Sequence, residues 1–401
     1  MRAALFRHDP RSSAVRFIVC LGVVSLFADM TYEGARSVLG PFLQNLGANA
    51  AEVGFIAGFG EMLGAGLRFF SGRLADRSRA YWTLTILGYA LTVVSVPLLA
   101  LALNWPMAAA LIVAERAGKS LRGPARDVLL SGATEQVGHG WGFGLHTALD
   151  QTGAVLGPLL VAAVVARFHH YGPALLRLAI PGLATMLALA AARVLFAGRG
   201  SEVGHPQLPS EARPRAAALL PPVFRTYTLA AGLLACGFAD FPLLAFHWQQ
   251  AGIVRPATIP LLYAAAMAVD GLSALAFGKL FDRIGVAVLV LATVFAVAAL
   301  PLGFLGGFGW AIASILCWGT AMGAQDACLR AGIARVVSMN KRGRAFGIFN
   351  ASYGILWFAG SAAMGALYGI SPLALVIFGT AAEIGAAGIF VWLERSRLVE
   401  V

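Results

Sequence analysis

The sequence predicts an all-α integral membrane protein with twelve transmembrane helices in two pseudo-symmetric six-helix bundles. Three observations carry that prediction. The chain of 401 residues is 59% hydrophobic and only 12% charged, with a mean hydropathy of +0.77. A soluble domain carries about 25% charged residues, so the bilayer is the expected solvent. The apolar runs are continuous, which excludes the alternating segments of about 10 residues that build a membrane β-barrel. At about 20 residues per crossing, the length accommodates roughly twelve helices with short loops. Finally, a polar hinge, Gly72-Arg73-Leu74-Ala75-Asp76-Arg77, recurs as Gly278-Lys279-Leu280-Phe281-Asp282-Arg283-Ile284-Gly285. A repeat at that distance is the mark of a duplicated membrane bundle.

The elements follow in order. A basic leader with Arg2, Arg7 and Arg11 precedes an apolar run that could pass for a signal peptide. That run is long and carries Asp29, Glu33 and Arg36, so it reads as helix 1, about 15–39, broken by Pro41. Helices 2 to 6 are expected at about 51–70, 81–103, 107–130, 141–166 and 174–196. Proline alternating with charge then marks a solvated linker, with Pro206, Pro209, Pro214, Pro221 and Pro222 among Arg199, Glu202, Glu211, Arg213 and Arg215. Helices 7 to 12 follow at about 226–248, 257–277, 286–305, 310–336, 345–368 and 372–393. The expected domains are 1–196, a linker at 197–224, and 225–401. The halves superpose by eye. Phe27-Ala28-Asp29 parallels Phe238-Ala239-Asp240, Gly72 and Asp76 parallel Gly278 and Asp282, and Gly144 and Gly157 parallel Gly347 and Gly360.

The formal net charge of +11 does not form one basic, aromatic-laced block, which argues against nucleic acid. Lys and Arg instead recur at the ends of apolar runs. They concentrate in the leader, both hinges, the linker, Lys341-Arg342-Gly343-Arg344 and the Arg395/Arg397 tail. The positive-inside rule then places both termini in the cytoplasm of a multi-pass cell-membrane protein, read as bacterial inner membrane. Cys20, Cys236, Cys317 and Cys328 lie in apolar runs without CxxC spacing and read as small buried hydrophobes. Neither cysteines nor histidines form a metal pattern, and no cofactor is expected. The absence of P-loop, HExxH and GxSxG sequences speaks against ATP-driven transport and against an enzyme.

Charges at membrane depth are expensive, so they mark candidate function. Asp29, Glu33 and Arg36 share one face of helix 1, where a carboxylate could titrate and Arg36 would favour its charged form. Helix 4 carries Glu115, Lys119, Arg122 and Arg126 as a stripe, with Arg116 and Asp127 beside it. Arg122 and its neighbours also fit interfacial anchors. His146 and Asp150 stand one turn apart on helix 5 and could relay protons or make a structural bond to helix 1 or helix 4. Asp240, Asp270, Asp326 and Arg330 are the charged groups of the second half, with Asp326 and Arg330 spaced to pair. Glu61 and Arg68 lie seven apart on helix 2.

On the hinge residues the chain resembles the major facilitator superfamily of transporters. Gly72, Leu74, Asp76 and Arg77 fit its motif between helices 2 and 3, and Gly278, Leu280, Asp282, Arg283 and Gly285 fit the repeat. Gly144, Gly153, Gly157 and Pro158 resemble the helix-5 packing motif of the superfamily's proton-coupled antiporters, with Val161-Ala162 replacing the final Gly pair. Arg116 best matches the helix-4 arginine tied to coupling in that branch. The resemblance implies alternating access with the hinge motif as a conformational gate. It implies a monomer exchanging protons for a small organic solute or drug, working as an efflux transporter. Alternatives are transport of an anionic carboxylate or phosphate ester, or a non-transporting assembly factor or receptor on the same fold. The proton or substrate residues would be Asp29, Glu33, Arg36, Arg116, His146, Asp150, Asp240, Asp326 and Arg330.

Overall fold

A computed structural model describes residues 10–134, 136–196, 220–338 and 341–396; among them are fifteen α-helices and no strand. Nine rods are single helices: α3 (Ala50–Ser78), α4 (Tyr81–Leu98), α5 (Trp105–Thr134), α6 (His139–Phe168), α11 (Ile259–Ile284), α12 (Ala287–Phe304), α13 (Phe308–Val336), α14 (Arg342–Ile370) and α15 (Pro372–Arg395). Three further rods are broken pairs: α1 (Pro10–Arg36) with α2 (Leu39–Asn45), α7 (Tyr171–Arg177) with α8 (Ala179–Leu195), and α9 (Pro222–Gly237) with α10 (Phe241–Gln250). Ten of these twelve rods are long and apolar enough to cross a membrane. The other two, α5 and α13, are of similar length at 30 and 29 residues but carry more polar side chains.

Local chemistry sets several ends. Asn49 and Glu52 form a reciprocal cap on α3, with Asn49 Oδ1 accepting from the Glu52 amide at 3.0 Å and Glu52 Oε2 accepting from the Asn49 amide at 2.7 Å. Pro222 and Pro372 open α9 and α15, where a missing amide hydrogen costs nothing.

The structure corrects some expected boundaries. The hinge motifs are not loops. Gly72 to Arg77 form the last two turns of α3, and Gly278 to Ile284 the end of α11. At 29 residues α3 is about 43 Å long, so it outruns the hydrocarbon and ends in the polar interface. The chain turns only at Arg79 and Gly285, both at positive φ. The first rod breaks at Ser37–Val38, before Pro41, which sits in the first turn of α2. Rods six and seven are also interrupted rather than continuous. Helix α9 begins at Pro222, earlier than the expected 226. Residues 1–9, 197–219 and 397–401, with most of the expected linker and Arg397, lie outside the described residues.

Bare backbones let the rods approach closely. A side chain at Gly153 or Gly157 of α6 would strike the carbonyls of Leu26 and Met30 on α1. The repeat partner of Gly157, Gly360 on α14, lies equally close to the Cys236 carbonyl on α9. Between halves, α3 packs along α14, α6 along α11 and α2 against α10. Gly40 abuts the Pro242 carbonyl, and Gly54 abuts Ser361 and Gly365. Gln249 donates to Asn45 Oδ1 at 3.0 Å and meets Tyr171. The contacts at Gly40, Gly54 and Gln249 lie toward the bundle end away from the chain termini, which they seal.

Candidate functional site

The charged residues of α1, α3 and α5 converge between the halves. The i, i+3, i+4 spacing puts Asp29, Tyr32, Glu33 and Arg36 on one face of α1, and the stripe on α5 faces it. Glu61 on α3 is the hub: its Oε1 lies 3.0 Å from both Arg36 Nη2 and Arg116 Nη2. Arg116 also lies 3.7 Å from Glu115 and donates to the Tyr32 hydroxyl. Arg36 Nη1 donates to the same hydroxyl at 3.2 Å. Lys119 Nζ stands 3.7 Å from the Tyr32 ring centre and 3.8 Å from Glu33 Oε1. The other Glu33 oxygen accepts from the Tyr263 hydroxyl of α11 at 2.6 Å, so this carboxylate is held by both halves.

Arg36 therefore does not serve Asp29 or Glu33 as the sequence led us to expect; Glu61 on the facing helix takes it. Asp29 instead lies 3.9 Å from Arg122. Arg122 is no interfacial anchor. It is 3% exposed, donates to Thr92 Oγ1 at 2.7 Å and stacks over Tyr89 at 4.5 Å.

A second network adjoins the first. Ser25 Oγ lies 3.2 Å from the Tyr89 hydroxyl and 3.1 Å from His146 Nε2, and accepts from Arg126 at 3.1 Å. His146 is thus tied to α1 through Ser25. Asp150, one turn further along α6, leaves Oδ1 without a hydrogen bond.

The second half is built differently. Six ion pairs among the described residues fall within the first half. Asp240 accepts from Trp357 Nε1 at 3.0 Å and Ser361 Oγ at 2.5 Å, neutral donors only. Asp270 accepts from Gln151 of α6 at 3.1 Å, a second bond across the halves. Asp326 and Arg330 are accessible and form no ion pair within 4 Å, contrary to the pairing their spacing predicts.

The hinge motif sits apart from this cluster. Asp76, Arg77, Asp282 and Arg283 are exposed at the termini end. A side chain at Gly72 would stand 3.8 Å from Pro124, and one at Gly278 3.9 Å from Ala327, both ordinary contacts. In the helix-5 motif, Gly153 and Gly157 make backbone contact, whereas Gly144 meets nothing within 4 Å.

Sequence reasoning underweighted Glu61, which it saw, and missed Tyr32 and Tyr263, which carry no charge signal. Lys119 was visible only as one member of a stripe. An isolated carboxylate in a long apolar run was the available clue to Glu61.

A helical bundle of membrane-spanning rods, with buried charges gathered between two halves, defines a polytopic membrane protein of the transporter class. The Major Facilitator Superfamily model matches residues 21–361, and the chain belongs to that family of transporters. An uncharacterized protein of Mycobacterium tuberculosis is 42% identical over 381 residues, covering 94% of this chain and 92% of its own. An uncharacterized MFS-type transporter of Methanocaldococcus jannaschii is 24% identical over 90% of this chain and 91% of its own. Among solved structures, a mutant of the nucleoside transporter NupG superposes with a TM-score of 0.77 at 13% identity, covering 94% of this chain and 99% of its own. A bacterial homolog of the human lysosomal transporter Spinster, inward-facing and occupied, gives 0.69 at 14% identity over 96% and 97%. These likenesses show the fold, and the family makes the protein a multi-pass membrane transporter of small molecules rather than an enzyme.

Proposed function

We propose that this protein is a proton-coupled antiporter that exports a small organic solute across a bacterial inner membrane, as a monomer with both termini in the cytoplasm. On that orientation the sealed end is periplasmic. Residues 1–196 and 225–401 are the two bodies that rock about the central cavity, joined by the linker.

The carrying observation is the double hold on Glu33, by Lys119 within its own half and by Tyr263 of the other half. Protonating Glu33 removes the attraction to Lys119 and weakens the bond that locks the halves. A proton then acts by its different affinity for the two states, as any coupled ligand must. Asp29, beside Arg122, and Asp150, with one oxygen unpartnered, are the other proton carriers in this reading. Arg36 and Arg116, tied to one carboxylate, transmit the change, while His146, Asp240, Asp326 and Arg330 line the path. Asp76, Arg77, Asp282 and Arg283, exposed here, engage when the cytoplasmic end closes.

The anion alternative loses support from the pairing itself. Arg36, Arg116, Lys119 and Arg122 each already face a carboxylate within 4 Å.

Proton flux in proteoliposomes with an imposed pH gradient tests the reading. Cationic dyes, antibiotics, sugars and organic anions are added one at a time. A solute that collapses the gradient in the parent, but not in Asp29→Asn/Glu33→Gln, supports antiport. Full gradient-driven transport in Asp29→Asn, Glu33→Gln and Asp150→Asn would remove these carboxylates from coupling.

A further inference from the structure

Glu383, in the middle of α15, takes no part in the cluster above. Its side chain is 0% exposed, and neither carboxylate oxygen has a hydrogen-bond partner. It packs against the last residue of α9, with Cγ 2.8 Å from where a side chain on Gly237 would begin. At Gly237 the helix stops. Phe238 is extended (φ −81°, ψ 114°), and helix resumes only at Phe241 of α10.

The place is electrostatically hostile to a carboxylate. The last carbonyls of a helix lack intrahelical partners and carry the negative end of its dipole. A bare carboxylate there is penalised twice, by desolvation and by that dipole. The packed elements offer no compensation. On α9 the titratable neighbour is Cys236, and on α14 it is Tyr353, whose hydroxyl donates to Gln325. The sequence of α12, which also packs on α15, contains no charged residue. Across the break, Asp240 is itself acidic and already accepts two bonds. Among the described residues no Lys or Arg pairs with Glu383. An unsatisfied acid beside the negative end of a helix needs a positive charge. Interrupted membrane helices present such carbonyl ends to small cations.

We propose that Glu383 and the carbonyl end of α9 form a binding site for one monovalent cation, either a proton on the carboxyl group or a sodium ion between carboxylate and carbonyls. This site is separate from the Asp29–Glu33 cluster. Its occupancy bears on the α9–α10 break, whose Asp240 bonds Ser361, and Ser361 packs against Gly54 and Gly58 of the other half.

Infrared difference spectroscopy on the full chain in lipid nanodiscs tests it. The carboxylic-acid C=O band of Glu383 is assigned by its loss in Glu383→Gln. Glu383→Asp, which shifts the band without removing it, serves if the Gln variant fails to fold. The expected result is a band present at pH 6. Loss of the band on titration to pH 9 in choline chloride identifies the proton as the ligand. Loss at constant pH when about 100 mM sodium replaces choline identifies sodium, with one proton released per ion bound. A band that persists through pH 9 and ignores sodium means a fixed structural acid and overturns the proposal. So does an ionised Glu383 that shows no sodium response. Asp29→Asn should leave the band unaltered, so the outcome does not depend on whether the first-half cluster couples protons.

Discussion

Tyr263 of the second half donates a hydrogen bond of 2.6 Å to Glu33 of the first, at the point where Glu33 also faces Lys119. One carboxylate thereby joins the charge network inside one body to the interface between two. A hydrogen bond to a charged group is worth about 1.5–3 kcal/mol, enough to shift a two-state balance roughly 10- to 100-fold.

Tyr263→Phe should therefore release the sealed end without disturbing the first-half cluster. A cysteine introduced at Asn45, beside Gln249, should react with an impermeant maleimide at least several-fold faster in that background. Equal reactivity with and without the tyrosine would mean that backbone packing at Gly40 and Gly54 alone holds the seal.

Removing the hub should be a stability event. Glu61→Gln leaves Arg36 and Arg116 without their shared counter-ion. Breaking one side of a buried pair costs about 3–5 kcal/mol; the partial exposure of Glu61 puts the expected loss at the low end. The melting temperature in detergent should fall by many degrees. Glu52→Gln, at an exposed cap, should cost about 1 kcal/mol or less. Similar melting of the two variants would deny Glu61 its central place.

The helix-5 glycines should separate by geometry rather than by motif. Gly157→Ala drives a methyl into the Met30 carbonyl and should cost about 1–3 kcal/mol. Gly360→Ala in the second half should behave alike against Cys236. Gly144→Ala meets open space and should change melting by no more than about 0.5 kcal/mol equivalent. Equal damage at all three positions would refute this division.

Arg122→Ala should destabilise the fold more than Arg77→Ala. The first deletes a buried guanidinium that bonds Thr92, stacks on Tyr89 and faces Asp29, whereas the second removes an exposed charge. Losses of about 3 kcal/mol and under about 0.5 kcal/mol are expected by thermal melting. The reverse order would return Arg122 to an interfacial role.

The class of fold was legible because it rests on composition and period, which are local. Runs of about 20 apolar residues admit few structures in a bilayer, and the Gly72/Gly278 repeat announces duplication. The breaks were less legible. Between Gly237 and Phe241 every residue but Asp240 is apolar or small, so nothing in the hydropathy marks the interruption. The ends of α3 and α11 look like loops in the sequence because their polarity suggests a turn, whereas a helix that outruns the membrane keeps its hydrogen bonds in water.

The candidate site divides in the same way. The sequence by itself determined which charges enter the membrane and which face of a helix they share, because a helix fixes the direction of residues three and four apart. Only the tertiary structure decided the partners: Arg36 to Glu61 rather than to Glu33, Glu33 to Tyr263 of the other half, Glu383 to nothing. Pairing depends on the rotation and depth of facing helices, and those are set by backbone contacts such as Gly157 on Met30 and Gly40 on Pro242. Such contacts join residues far apart in the chain, so no local pattern records them.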